Sequence, residues 1–160
     1  MRAVHLPGHT AGHCVLLVEP QGIAFIGDFD LSSFGPYYGD ATSSLADFRA
    51  SLRRLADLPA SAWITSHHKG VVVDRTQFDA LLQAYAERLD ERETRLLAML
   101  ADGPQSVEQL ARRRLLYPPE AADLWIDCAE SRSIAQHLDE LVAAGRVVAD
   151  EQGRYRLTGG

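Results

Sequence analysis

"HLPGHTAGH", residues 5–13, sets His5, His9 and His13 four residues apart beside Pro7, Gly8 and Gly12. Imidazole is the commonest side-chain metal ligand, so histidines at this density suggest a metal site. Such a site needs three or four ligands, and the remaining ones must come from elsewhere in the chain. Two stretches offer them: "FIGDFDL" (25–31) with Asp28, and "ITSHHKG" (64–70) with His67 and His68. Imidazole and carboxylate together suit zinc, iron or manganese, so ligand type alone leaves the metal open. A carboxylate can bridge two ions, and a two-metal cluster can hold a hydroxide at neutral pH.

The elements that must position these groups are legible from periodicity. Ala3 to Leu6 reads as a short strand leading into the histidine loop. "CVLLVE" (14–19) and "IAFIG" (23–27) are β-branched and apolar, with "PQG" between them, which predicts a hairpin. Residues 29–43 carry Gly, Pro, Ser and Asp and read as a loop. Leu45, Phe48, Leu52 and Leu55 recur at helical spacing behind Ser44, a suitable N-cap, and Pro59 closes that helix. "AWIT" (62–65) is the next strand and runs into the His67–His68 pair. Each candidate ligand thus follows a strand, and the crevice beyond strand ends is where sites collect in α/β folds. In an extended segment neighbouring side chains diverge, so His67 and His68 should not both serve; either remains possible.

From Thr76 the pattern becomes helical. Phe78, Leu81, Leu82, Tyr85 and Leu89 mark an amphipathic helix that runs to Met99 and Leu100 and stops at "DGP" (102–104). Ser106 with Gln109 forms a capping box for a short helix through Leu110, and Ser133 with Gln136 forms another. The second box opens a helix that Gly145 ends. "RVVADEQGRYRL" then reads as a hairpin turning at Gln152-Gly153. Three helices followed by a β-hairpin describe a winged helix, with a domain boundary near Asp90.

The 160 residues are 46% hydrophobic and 24% charged, with a net charge of −6, which argues against a broad nucleic-acid or membrane affinity. Residues 93–160 hold eight Arg, no Lys and eleven Asp and Glu, a balance of −3. Phosphate contact needs the opposite sign, so dimerisation or a substrate lid fits the C-terminal part better than DNA readout. Cys14 and Cys128 are too few for a disulfide framework, no apolar run could cross a bilayer and no secretory pattern opens the chain; the expected setting is the reducing cytoplasm.

The motifs together resemble the metallo-β-lactamase superfamily. "HLPGHTAGH" is similar to its third metal-binding motif, which implies that His9 is a ligand. "FIGDFDL" is similar to the fourth, which implies that Asp28 bridges the metals. "ITSHHKG" stands where the family has its last histidine, with His67 the better match and His68 the alternative. The C-terminal segment resembles the winged-helix appendage of the thioesterase and lactamase-like branch. The resemblance implies an α/β chain in two parts. Residues 1–90 would be the C-terminal half of an αββα sandwich, and 91–160 a winged-helix-like domain.

The implied chemistry is hydrolysis of an ester, thioester or phosphodiester by a zinc-type centre (iron or manganese being alternatives), with metal-bound hydroxide as the attacking group. His13 is then expected to support a ligand by hydrogen bonding rather than bind metal itself. The superfamily's first ligand motif, His-x-His-x-Asp-His, does not occur in these residues. The expectation is therefore an incomplete site in this chain alone, completed by an N-terminal half or by a second copy in a homodimer. An exposed half-sandwich face would drive that association.

Overall fold

The computed structural model describes residues 1–159. The chain divides into two compact units, Met1–Leu89 and Asp90–Gly160. The first is α/β with a mixed sheet. Its strands are β1 (Arg2–His5), β2 (Cys14–Val18), β3 (Ile23–Gly27), β4 (Ala62–Thr65) and β5 (Val71–Val72). They lie side by side in the order β1-β2-β3-β4-β5. The β1–β2, β2–β3 and β4–β5 pairs are antiparallel and β3–β4 is parallel. It follows that β1, β3 and β4 all end at the same edge of the sheet.

Two helices serve this unit: α1 (Leu45–Ala56) and the first part of α2 (Arg75–Leu100). Ser44 caps α1 by accepting the Asp47 N–H, as its sequence position predicts. Period-2 alternation sends Val15, Leu17, Ala24, Ile26, Trp63 and Val72 to one face of the sheet, where they join Phe48, Leu52, Leu55, Phe78, Leu82 and Tyr85 in one core. Trp63 stacks on Phe78 at 4.0 Å between ring centroids, and both rings are wholly buried. Each such side chain contributes about 1.5–3 kcal/mol of burial.

The opposite face has a different composition. The register aligns Ala3 with Leu16, Leu16 with Phe25, Phe25 with Ile64, and Ile64 with Val71. One apolar row therefore crosses all five strands away from the core, with Phe25 38% and Val71 63% exposed.

The second unit holds the end of α2, β6 (Gln105–Ser106), α3 (Val107–Arg112), α4 (Leu124–Ala143), β7 (Val147–Ala149) and β8 (Arg154–Leu157). Its three strands are ordered β6-β8-β7. The Ser106–Gln109 capping box forms on both sides. The one predicted at Ser133 does not: α4 begins nine residues earlier, and Ser133 is buried in its middle. Ile126, Ala129, Glu130 and Ser133 continue the buried stripe of Ile134, His137, Leu138 and Leu141 backwards without a break. A capping pattern with no helix breaker before it does not start a helix. Within this unit the buried Glu130 carboxylate accepts the N–H groups of Leu115, Leu116 and Tyr117, fastening the segment before α4 to its side.

Candidate metal centre

The loop between β1 and β2 carries His9, and α1 holds that loop in place. Ser44 donates its N–H to the Gly8 carbonyl (3.0 Å), and the Ser51 hydroxyl donates to the Pro7 carbonyl (2.6 Å). Arg54 reaches the His5 carbonyl (3.1 Å), and the Ser43 hydroxyl donates to the His9 carbonyl (2.6 Å). Gly8 has φ +138°, and a Cβ there would lie 2.4 Å from the Phe48 Cα. Only glycine lets the loop approach the α1 backbone this closely.

His9 sits with Nδ1 3.1 Å from the Tyr37 carbonyl. A carbonyl only accepts, so Nδ1 carries a proton, and Nε2 is the ring nitrogen left to face a metal. That Nε2 faces Asp28 Oδ2 at 3.7 Å.

Asp28 follows β3 through an irregular step. The β3–β4 register slips between Phe25 and Gly27, and Gly27 takes φ +58°. Bulges of this kind re-aim the chain beside functional sites. From β4, Thr65 ties the next loop: its hydroxyl donates to the His67 carbonyl (2.6 Å) and accepts the Gly70 N–H (3.0 Å). His67 Nε2 then lies 3.2 Å from Asp28 Oδ1. The two imidazoles thus approach different oxygens of one carboxylate, from strand ends at a single sheet edge.

The other candidates take different places. His68 has φ +61°, so the segment is not extended there, and both neighbouring histidines turn toward acids. His68 Nε2 faces Asp30 Oδ2 at 3.7 Å rather than Asp28. The divergence expected of an extended pair is thereby lost, while the two rings keep separate partners. His13 is buried; its Nδ1 donates to the Leu6 carbonyl (3.0 Å) and its Nε2 accepts the Asp28 N–H (3.2 Å). Burial pushes its pKa below the ordinary value of 6.5, against the opposing pull of the Leu6 carbonyl, so the ring is neutral at neutral pH. His5 is exposed and donates from Nε2 to the Ala11 carbonyl (2.7 Å), bracing the far end of the loop. Both cysteines are free.

No family model matches the chain. A metallo-β-lactamase family protein from Thermus thermophilus superposes with a TM-score of 0.72 and 31% identity, covering 98% of this chain and 49% of that one. The chain is metallo-β-lactamase-like.

A β-lactamase domain protein from Burkholderia ambifaria shares the fold at TM-score 0.70 and 23% identity, over 98% of this chain and 48% of that one. An atrochrysone carboxyl ACP thioesterase of Pseudocercospora fijiensis is 27% identical over 96% of this chain and 45% of its own length. A probable metallo-hydrolase of Bacillus subtilis is 27% identical over 94% of this chain and 47% of its own length. This metallo-β-lactamase-like chain spans about half the length of the curated relatives it matches. No helix in the described residues is long and apolar enough to cross a membrane.

Two residues at the centre are invisible as such in the sequence. Tyr85 reads there as helix core, yet its hydroxyl donates to the Asp28 carbonyl at 3.2 Å. Gly27 reads as a strand end, yet a Cβ on it would come within 2.8 Å of His13 Nε2. A separate grouping lies in the second unit of this metallo-β-lactamase-like chain: ligand atoms of Glu93, His137 and Glu140 fall within 4.8 Å of one another. The Arg146 guanidinium bonds Glu93, so that grouping already holds a cation of its own.

Proposed function

We propose that His9, Asp28 and His67 contribute to the metal centre of a hydrolase that cleaves an ester, thioester or phosphodiester. The observation that carries this is the placement of two imidazole Nε2 atoms on opposite oxygens of the Asp28 carboxylate. A tetrahedral zinc with bonds of about 2.0–2.2 Å separates a nitrogen ligand from an oxygen ligand by about 3.4 Å. The spacings of 3.7 and 3.2 Å lie on either side of that figure. Zinc is the first choice for such a donor set, with iron or manganese as alternatives. When bound, such a metal supplies Lewis acidity and a water acid enough to be a nucleophile at neutral pH.

The protein's own part is positional. Tyr37 fixes the His9 tautomer, α1 fixes the loop, and Asp28 offers an oxygen to each side. Three donors do not saturate two ions, so a complete centre draws others from outside these 160 residues. The second unit, with its three-stranded sheet beside α3 and α4, fits a winged-helix-like module acting as a substrate lid or dimerisation element. Two unpaired cysteines fit a reducing compartment such as the cytoplasm. Cobalt(II) titration followed by its visible d–d bands tests the site. Bands that appear with the wild-type chain and disappear in both His9→Ala and Asp28→Asn support it; unchanged bands in both variants sink it.

The apolar row favours a second reading, in which the chain acts through a homodimer. Ala3, Leu16, Phe25, Ile64 and Val71 lie on one face of a five-stranded sheet, which at about 4.8 Å per strand is roughly 24 Å wide. A second copy offers the same face, as a two-fold interface requires. Sedimentation velocity at micromolar concentration should show a dimer that Phe25→Lys dissociates. A wild-type monomer would rule this reading out and favour a separate N-terminal half as the partner.

A further inference from the structure

The Asp28 main chain is held from both sides by side chains other than the two ligand histidines, although the His13 ring also meets the His9 ring edge-on at 6.0 Å between centroids. On one side His13 Nε2 accepts its N–H at 3.2 Å; on the other the Tyr85 hydroxyl donates to its carbonyl at 3.2 Å. His13 is itself tied by Nδ1 to the Leu6 carbonyl and packs on Phe29 with ring centroids 4.5 Å apart. Tyr85 is 1% exposed and sits on α2. Gly27 leaves the space His13 Nε2 occupies, since a Cβ would intrude to 2.8 Å. A residue just beyond the β3 irregularity thus has both main-chain groups committed to side chains remote in sequence.

We propose that His13 and Tyr85 are positioning residues that clamp the Asp28 main chain and so aim its carboxylate between His9 and His67. This rests on the reading of Asp28 as a metal ligand. Groups that orient a ligand without binding metal typically change affinity 10–100-fold when removed. A merely structural His13 would instead lower the stability of the whole unit and leave the carboxylate's aim unchanged.

Three readouts on the 160-residue chain separate these cases: cobalt(II) affinity, native-state amide exchange of the metal-free chain, and urea unfolding followed by Trp63 fluorescence in a Trp125→Phe background. In His13→Phe, which keeps an aromatic ring against Phe29, the Asp28 amide should exchange at least about tenfold faster while Val15 and Leu17 keep their protection. Cobalt(II) affinity should fall about 10–100-fold. Tyr85→Phe, which keeps the ring and loses only the hydroxyl, should move both readouts the same way by a smaller factor. Wild-type exchange at Asp28 in both variants would overturn the proposal. If the wild-type chain, with only part of the donor set, binds no cobalt(II), Asp28 exchange alone decides the clamp: wild-type exchange in both variants overturns it. If His13→Phe loses protection throughout the unit, Tyr85→Phe decides by the same two measurements.

Discussion

Gly8 and Gly12 share one nine-residue motif yet should respond oppositely to alanine. At Gly8 an added Cβ meets the Phe48 Cα at 2.4 Å and the Phe48 nitrogen at 2.6 Å, and φ is +138°. Holding a non-glycine residue in such a conformation costs about 1–3 kcal/mol. The obstacle is helix backbone, so relief means lifting the loop off α1. That breaks the Ser44–Gly8 and Ser51–Pro7 hydrogen bonds, each contributing about 0.5–1.5 kcal/mol. The sum is roughly 2–6 kcal/mol, against roughly 4–13 kcal/mol for a unit of this size.

At Gly12 nothing lies within 4 Å of the added Cβ, and φ is not positive. Gly12→Ala should therefore stay within about 1 kcal/mol of wild type, on the stabilising side. Urea unfolding followed by fluorescence in a Trp125→Phe background reports on the first unit, because the remaining tryptophan, Trp63, is buried there. The Gly8→Ala midpoint should drop by at least about 1 M, with Gly12→Ala unmoved or raised. Equal midpoints for the two variants would refute the argument that close approach to α1 sets the loop.

Further outcomes follow from other contacts. His67→Ala should weaken cobalt(II) binding by at least about tenfold, and His68→Ala by much less, since only His67 faces Asp28; optical titration compares the two. Glu130→Gln replaces one acceptor oxygen among three N–H groups with a donor, and should cost about 2–4 kcal/mol in urea unfolding of the second unit. Asp150 has its pKa held below 3.8 by the Arg154 N–H first, then by the Gln152 N–H and the Arg154 side chain. Its contribution to the β7–β8 turn is thus complete above pH 3.8 and fades as pH falls through the lower folded value. NMR titration of the Arg154 amide should show that direction, and Asp150→Asn should abolish the dependence.

The strands, α1 with its Ser44 cap, and the Ser106–Gln109 box are legible because local propensity and burial agree at those positions. The three chemical stretches are legible because each combines a strand end with residues that bind metal or shape a loop. What the sequence hides depends on contacts distant along the chain. Tyr85 reaches Asp28 across 57 residues, and the His13–Asp28 bond spans a hairpin. The left-handed turn at His68 is also hidden, because no glycine marks it. Ser133 misleads for the converse reason: its local pattern suits a cap, but the helix has already begun upstream and buries it. Nothing in the periodicity announces β5 or β6, which are two residues each and exist through their partners.

Arg54, Ser51, Ser44 and Ser43 fasten α1 and its N-terminal approach to the carbonyls of residues 5–9, and none of them is a candidate ligand. The helix works as a jig, and a jig is judged by what is assembled on it. A selection for metal capture alone, applied to a library of random variants, should return losses on this helix as often as on the histidines themselves. Sensitivity to substitution would then trace where the loop is bolted rather than where the chemistry occurs.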